Sequence, residues 1–101
     1  MPASVPYEAR LLERLKDPRE AAAYLEAAIE DDDEGGLMLA LRQVAQALGG
    51  VAELARKSNL SREATYRMLS ESGNPELKSL TAVLGAAGLR LSVKPLAKRA
   101  A

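Results

Sequence analysis

At 101 residues the chain has the length of one domain, with 48% apolar residues to bury and little room for a second core. It contains no Cys, no His, no Phe and no Trp, which excludes disulfides, thiol and imidazole nucleophiles and nearly every zinc, haem or iron–sulfur arrangement, so no metal and no cofactor are expected. The formal net charge is zero, yet residues 1–34 hold ten acids against four bases (net −6) and residues 35–101 hold ten bases against four acids (net +6), so the halves either neutralise each other in one fold or face two partners of opposite sign.

With so few aromatics the core has to be Leu, Val, Ala and Met, a composition that favours close-packed helices. Residues 1–6 carry two prolines and are expected to fray, and residues 7–15 make two helical turns ending near Lys16. Asp17 followed by Pro18 is a helix start, with the carboxylate as N-cap and the proline at the first helical position. Ala22, Leu25 and Ile29 then give one apolar stripe on a helix that runs to about residue 31. Five consecutive acids, residues 30–34, and then Gly35 and Gly36 predict a helix exit and a turn. Asp31, Asp33 and Gly36 match the first, third and sixth positions of a calcium loop, but Arg42 stands at the twelfth, where a bidentate Glu is required, so the match carries no metal site.

Leu37, Leu41, Val44 and Leu48 recur at steps of four, three and four, which predicts a helix over about 36–48 that Gly49 and Gly50 terminate. Residues 51–70, VAELARKSNLSREATYRMLS, have the spacing of a helix-turn-helix, with helices at about 51–57 and 62–70. Ala55 is the small residue that lets the first helix approach the second, Asn59 is the turn residue that tolerates positive φ, and Ser61 caps the second helix. Leu54, Leu60, Met68 and Leu69 supply the apolar contacts. The first helix follows Gly50 and so starts without a polar cap. Ser72, Gly73, Asn74 and Pro75 break the chain, Glu76 suits a helix amino terminus, and Leu77, Leu80 and Leu84 mark the buried side of a last helix ending near Gly88. Leu89, Leu91 and Val93 then alternate with polar residues, a half-buried strand pattern. No second strand-like segment exists, so this strand would pair with another chain, its own copy included, making Leu89, Leu91 and Val93 candidate dimerisation residues; an extended tail lying along the helices is the alternative. Lys98 and Arg99 make the end basic.

A helix in the major groove reads bases with side chains near its amino terminus and on its outer face. Arg62, Glu63, Tyr66 and Arg67 are so placed: Arg can donate twice to guanine, Glu can accept from cytosine, and Tyr can pack on a thymine methyl or bond to phosphate. On a merely solvated helix, Glu63 and Arg67 would instead pair at i,i+4 spacing. Ser61, Ser72, Asn74 and Lys78 are candidates for phosphate contacts. An enzyme is not expected, because no His, no Cys and no glycine-rich phosphate loop accompany the Ser, Asp and Glu present. There is also no apolar run long enough for a membrane span, and the amino terminus lacks the basic-then-apolar order of a signal peptide, so a cytoplasmic protein without a membrane partner is expected.

Over about residues 16–95 the chain resembles the addiction-module antidote proteins, small Xre-type DNA-binding antitoxins encoded beside RelE/ParE-like toxins, often on prophages. The segments that carry the resemblance are KDPREAAAYLEAAIEDDD (16–33), VAELARKSNLSREATYRMLSESGNPELKSL (51–80) and GLRLSVKP (88–95). The resemblance implies an antitoxin that binds a toxin and, as a homodimer, binds double-stranded operator DNA to repress its own operon; a stand-alone prophage transcriptional regulator is the alternative. The fold expected is all-α. An acidic helical segment (1–34) precedes a lambda-repressor-like helix-turn-helix bundle (35–88), and a C-terminal strand with a basic tail follows (89–101). A basic toxin would meet the acidic region, with Glu26, Glu30, Asp31, Asp32, Asp33 and Glu34 supplying its field.

Overall fold

Side-chain caps start three of the helices: Asp17, Asp33 and Ser61 each accept from a backbone N–H of the first turn. In the computed structural model, residues 6–97 are described and form six helices: α1 (Tyr7–Leu15), α2 (Pro18–Glu30), α3 (Glu34–Ala47), α4 (Val51–Ser58), α5 (Arg62–Met68) and α6 (Leu77–Ala86). The fraying expected of residues 1–5 and the basic pair Lys98 and Arg99 lie outside the described residues. None of these helices is long and apolar enough to cross a membrane.

The Asp17 carboxylate accepts from the Arg19 N–H at 2.9 Å and Pro18 takes the first helical position of α2. Asp33 does the same for α3, accepting from the Gly35 N–H at 3.1 Å. This cap starts α3 two residues before the periodicity predicts, so Gly35 and Gly36 sit in its first turn, and the chain reverses earlier, through Asp32 at φ 55°. At the far end of α3 the Gly50 N–H reaches the Ala45 carbonyl (2.9 Å) and the Gly49 N–H the Gln46 carbonyl (3.3 Å), the paired closure that left-handed residues permit.

Helix α3 is central, packing against α1, α2 and α4, while α4 packs against α5 and α6. One apolar cluster runs through the bundle, joining Leu11 and Leu15 of α1 and Leu25 of α2 to Leu41, Val44 and Ala45 of α3, Leu54 of α4, and Val83 and Leu84 of α6. Tyr24 of α2 donates to Gln43 Oε1 of α3 at 2.6 Å, so the polar end of a half-buried ring is satisfied.

Three sequence expectations are corrected. The buried stripe of α2 is Ala21 and Leu25 with Ala28 packed beside them, and Ile29 is 57% exposed. A step of four residues overshoots a 3.6-residue turn by about 40°, so successive i+4 steps from Ala21 through Leu25 carry Ile29 off the core face while Ala28 returns to it. Leu77, the first residue of α6, is likewise exposed, and Val83 with Leu84 forms the buried part of that helix. The strand predicted from Leu89, Leu91 and Val93 is absent: among the described residues, 89–97 carry no regular secondary structure. A strand is held by ladder hydrogen bonds to a neighbour, and this chain offers no neighbour. Instead Leu89 packs on the core, its N–H closing α6 on the Leu84 carbonyl at 2.7 Å, and Lys94 meets Glu26 of α2 at 3.5 Å, so the segment runs beside α2.

Asp17 and Glu53 are held below the usual carboxylate range, Asp17 first by the Arg19 N–H and then by the Arg19 guanidinium, Glu53 first by its hydrogen bond from Arg56. A carboxyl whose folded pKa is lowered stabilises the fold fully above its unfolded pKa, and that stabilisation is lost as pH falls through the lowered folded value. Urea unfolding should therefore show stability declining below about pH 5. In Asp17→Asn, which keeps a capping oxygen but cannot titrate, stability at neutral pH should be lower by the share that the ionised carboxylate supplies, and the acid decline shallower by the same share. Identical acid slopes for the two proteins would exclude a contribution from Asp17.

Candidate nucleic-acid interface

The α4–α5 pair is built around one left-handed residue. Asn59 adopts φ 58°, ψ 39°. That conformation lets the Leu60 N–H bond to the Ala55 carbonyl (3.0 Å) and the Asn59 N–H to the Arg56 carbonyl (3.2 Å), which ends α4 and redirects the chain within three residues. Asn is among the few non-glycine residues that take this region at low cost. Ser61 is extended, and its Oγ accepts from the Ala64 N–H at 3.0 Å to start α5. The Ser61 carbonyl accepts from Thr65 Oγ1 at 2.8 Å, and Thr65 is wholly buried, so the first turn of α5 is pinned from the inside. Leu54, Ala55, Met68 and Leu69 are buried as expected, and Leu60 is half-buried against the core.

A second tie comes from outside the pair. Arg42 of α3 donates from Nη1 to the Leu69 carbonyl at 2.9 Å, satisfying an orphan acceptor at the end of α5 and fixing that end to the central helix. Sequence reasoning missed Arg42 and Thr65. The sole signal for Arg42 was a charged residue amid an apolar helix, and its partner lies 27 residues away.

The chain leaves α5 through a loop that only glycine permits. A Cβ on Gly73 would stand 2.1 Å from the Met68 carbonyl oxygen, while the Gly73 N–H bonds to the Ser70 carbonyl at 2.9 Å. Beside this loop lies a cleft of about 350 Å³, lined by Leu60, Arg67, Ser72, Asn74 and Ser79 among others. The structure thus brings Arg67, Ser72 and Asn74 together. Arg62, Glu63 and Tyr66 do not line the cleft; they occupy the exposed side of α5, and Lys78 is exposed in the first turn of α6. Glu63 and Arg67 do not form the ion pair their spacing allows, and among the described residues the side chains of Arg62, Tyr66 and Lys78 also make no hydrogen bond or ion pair. Behind them, Arg56 of α4 is held by Glu53, whose carboxylate bonds to its Nε at 3.1 Å and to Nη2; this raises the Arg56 pKa.

Of the acidic residues, Glu34 lines a second hollow with Glu71, Ser72 and Asn74, beside the cleft. Glu30 ends α2, Asp31 and Asp32 make the turn, Asp33 caps α3 and Glu34 begins it; Glu26 lies one turn back and is paired with Lys94. Of the dimerisation candidates, Leu89 is half-buried in the core, Leu91 is partly exposed and Val93 almost entirely so. Among the described residues no group of three or more acids is arranged to hold a metal ion.

Residues 8–95, from α1 to the segment beside α2, match the family profile described as probable addiction module antidote protein. An uncharacterised protein of Haemophilus influenzae is 30% identical over 82 residues, which are 81% of this chain and 84% of that protein. No solved structure matches the chain. With a match that takes in every helix and the segment that follows them, the chain belongs to the family of probable addiction module antidote proteins.

Proposed function

We propose that the protein is the antitoxin of a type II toxin–antitoxin module, a non-catalytic cytoplasmic protein that binds a RelE/ParE-like toxin directly and represses its own operon. In this reading α4 and α5 form a helix-turn-helix of the Xre type, and α5 is the recognition helix. The antidote half follows from the family, which implies a toxin partner in general. The DNA half is carried by one observation: α5 presents Arg62, Glu63, Tyr66 and Arg67 to solvent without side-chain partners, on a helix fixed at both ends by buried groups. Base readout by hydrogen bonds needs both a held helix and unengaged donors. Ser72 and Asn74 beside Arg67, and Lys78 where the dipole of α6 favours an anion, are then placed to meet the phosphate backbone. Helix-turn-helix proteins read paired half-sites as dimers, so the DNA-binding form is a homodimer.

Arg62→Ala or Arg67→Ala should cost about 1–3 kcal/mol on the operator and relax preference at one base position, whereas Lys78→Ala should weaken all sequences and lower the salt slope by about one. Affinities for operator and for random DNA, taken at matched salt, separate the two effects. If Arg67→Ala leaves the ratio of the two at the wild-type value, α5 does not read bases through Arg67.

The acidic turn supplies the field for a basic toxin. Opposite fields speed association steeply at low salt, while rim charges add little to final affinity. Converting Glu26, Glu30, Asp31, Asp32, Asp33 and Glu34 to their amides should slow toxin association more than it changes dissociation, and the difference should shrink as salt rises. An unchanged on-rate at low salt in stopped-flow mixing would falsify the acidic steering.

A further inference from the structure

Helix α5 meets the rest of the bundle unevenly. Among the described residues its backbone runs close to that of α4 and of no other helix. Met68 and Leu69, at its carboxyl end, join the apolar core. Apolar burial is non-directional and leaves the rotation of a seven-residue helix about its own axis loosely set. Direction has to come from hydrogen bonds, and those of residues 61–73 reach at most four positions along the chain, with one exception among the described residues: Arg42 Nη1 of α3 donates to the Leu69 carbonyl at 2.9 Å, across 27 positions.

Arg42 is half-buried on a helix whose Leu41, Val44 and Ala45 are buried, and it forms no ion pair among the described residues. A cation taken partly out of water without a carboxylate is costly unless other oxygen atoms receive it. Here the receiver is the carboxyl end of α5, where unpaired carbonyls carry partial negative charge, so the guanidinium suits that end in charge as well as in reach. Leu69 stands two residues after Arg67 and three before Ser72, and Arg67, Ser72 and Asn74 line one cleft. The long-range tie therefore falls at the joint between the candidate base-reading residues and the candidate phosphate loop.

We propose that Arg42 is a positioning residue for base readout: it touches no DNA, and by orienting the end of α5 it sets the register between Arg67 and the loop of Ser72 and Asn74. This rests on the DNA-binding reading of α5 and adds to it the residue outside α5 on which discrimination depends. A binding constellation has to be held to within about 0.5 Å of its productive geometry. Without the tie Arg67 shifts against a base edge and the operator complex weakens, whereas contacts from charged side chains to a repeating phosphate backbone tolerate the shift.

The test measures the affinity of the full-length protein for two duplexes over a range of salt, one carrying the DNA just upstream of its own gene and the other a scrambled sequence of equal length and composition. Arg42→Met keeps the apolar stem and removes the donors. Its ratio of the two affinities should fall at least about fivefold, the discrimination of one bidentate base contact at its weakest, with the salt slope unchanged. Arg42→Lys, which keeps the charge and a donor, should recover most of that ratio. A merely structural contribution lowers the folded fraction, which scales both affinities alike and leaves the ratio untouched. Should Arg42→Met not melt cooperatively, Arg42→Gln, whose amide is too short to reach Leu69, repeats the measurement. A ratio within about twofold of wild type in these two removal variants overturns the positioning role, although the DNA-binding reading stands. Equal losses on both duplexes with a flatter salt slope make Arg42 a phosphate contact and overturn it too. If the wild-type protein binds the two duplexes equally, base readout by α5 fails and the positioning role fails with it.

Discussion

Everything in this fold hangs on the burial of α3. It touches α1, α2 and α4. A single helix can do so because its sides carry residues of graded size: Ala40, Ala45 and Ala47 allow close approach, and Met38, Leu41 and Val44 fill the wider gaps. In a protein of this length the core has no spare depth, and each large-to-small change in such a layer costs about 2–5 kcal/mol, a large part of a small domain's stability. The central position has a second effect. Asp33 caps the amino end of α3 within the acidic turn, while Arg42, on the same helix, holds the end of α5. The two charged surfaces are thereby placed by one rigid element.

The α4–α5 pair shows the same economy of means on a smaller scale. Asn59 redirects the chain, the Ser61 hydroxyl starts the next helix, the buried Thr65 hydroxyl fixes its first turn and Gly73 permits the return past the Met68 carbonyl. Each of these positions is set by backbone hydrogen bonding or by space at the main chain, so the outward side chains of α5 are under no structural demand. Arg62, Glu63, Tyr66 and Arg67 could vary without disturbing the bundle, which is the condition for a surface whose specificity is free to change.

Much of this was legible in the sequence because the signals are local. Asp17 with Pro18, Ser61, Asn59 and the glycines at 49, 50 and 88 act within five residues of themselves, and each marks a helix end in the structure. What was not legible depends on which side of an element its neighbours occupy. Periodicity places Ala22, Leu25 and Ile29 on one stripe, but the exact heading of that stripe is set by α3, and a rotation of less than half a turn exposes Ile29. Alternation at Leu89, Leu91 and Val93 is read as a strand only if a partner ladder exists; without one the same residues serve as a packed residue, a partly covered one and an exposed one. The Arg42 contact to Leu69 has no local cue at all. In the candidate site, the identity of the α5 residues was visible from spacing, whereas the gathering of Arg67, Ser72 and Asn74 around one cleft required the loop geometry that Gly73 permits.

Among the described residues, most ion pairs form within one half of the chain. Had the two halves of the chain evolved to neutralise each other, their opposite charges would meet across the fold. Lys94 with Glu26 does cross between the halves, but Arg14 with Glu20, Lys16 with Glu13, Arg19 with Asp17, and Arg56 with Glu53 each stay within one half. These pairs are exposed and close in sequence, the kind that adds little to stability. Arg62, Arg67 and Lys78, and Glu30, Asp31 and Asp32, form no ion pair. At physiological ionic strength exposed charges farther apart than about 8 Å are largely screened, so two surfaces of opposite sign can coexist on one small bundle without cancelling each other's local field. A net charge of zero therefore conceals exposed acids and bases that mostly do not neutralise each other across the fold.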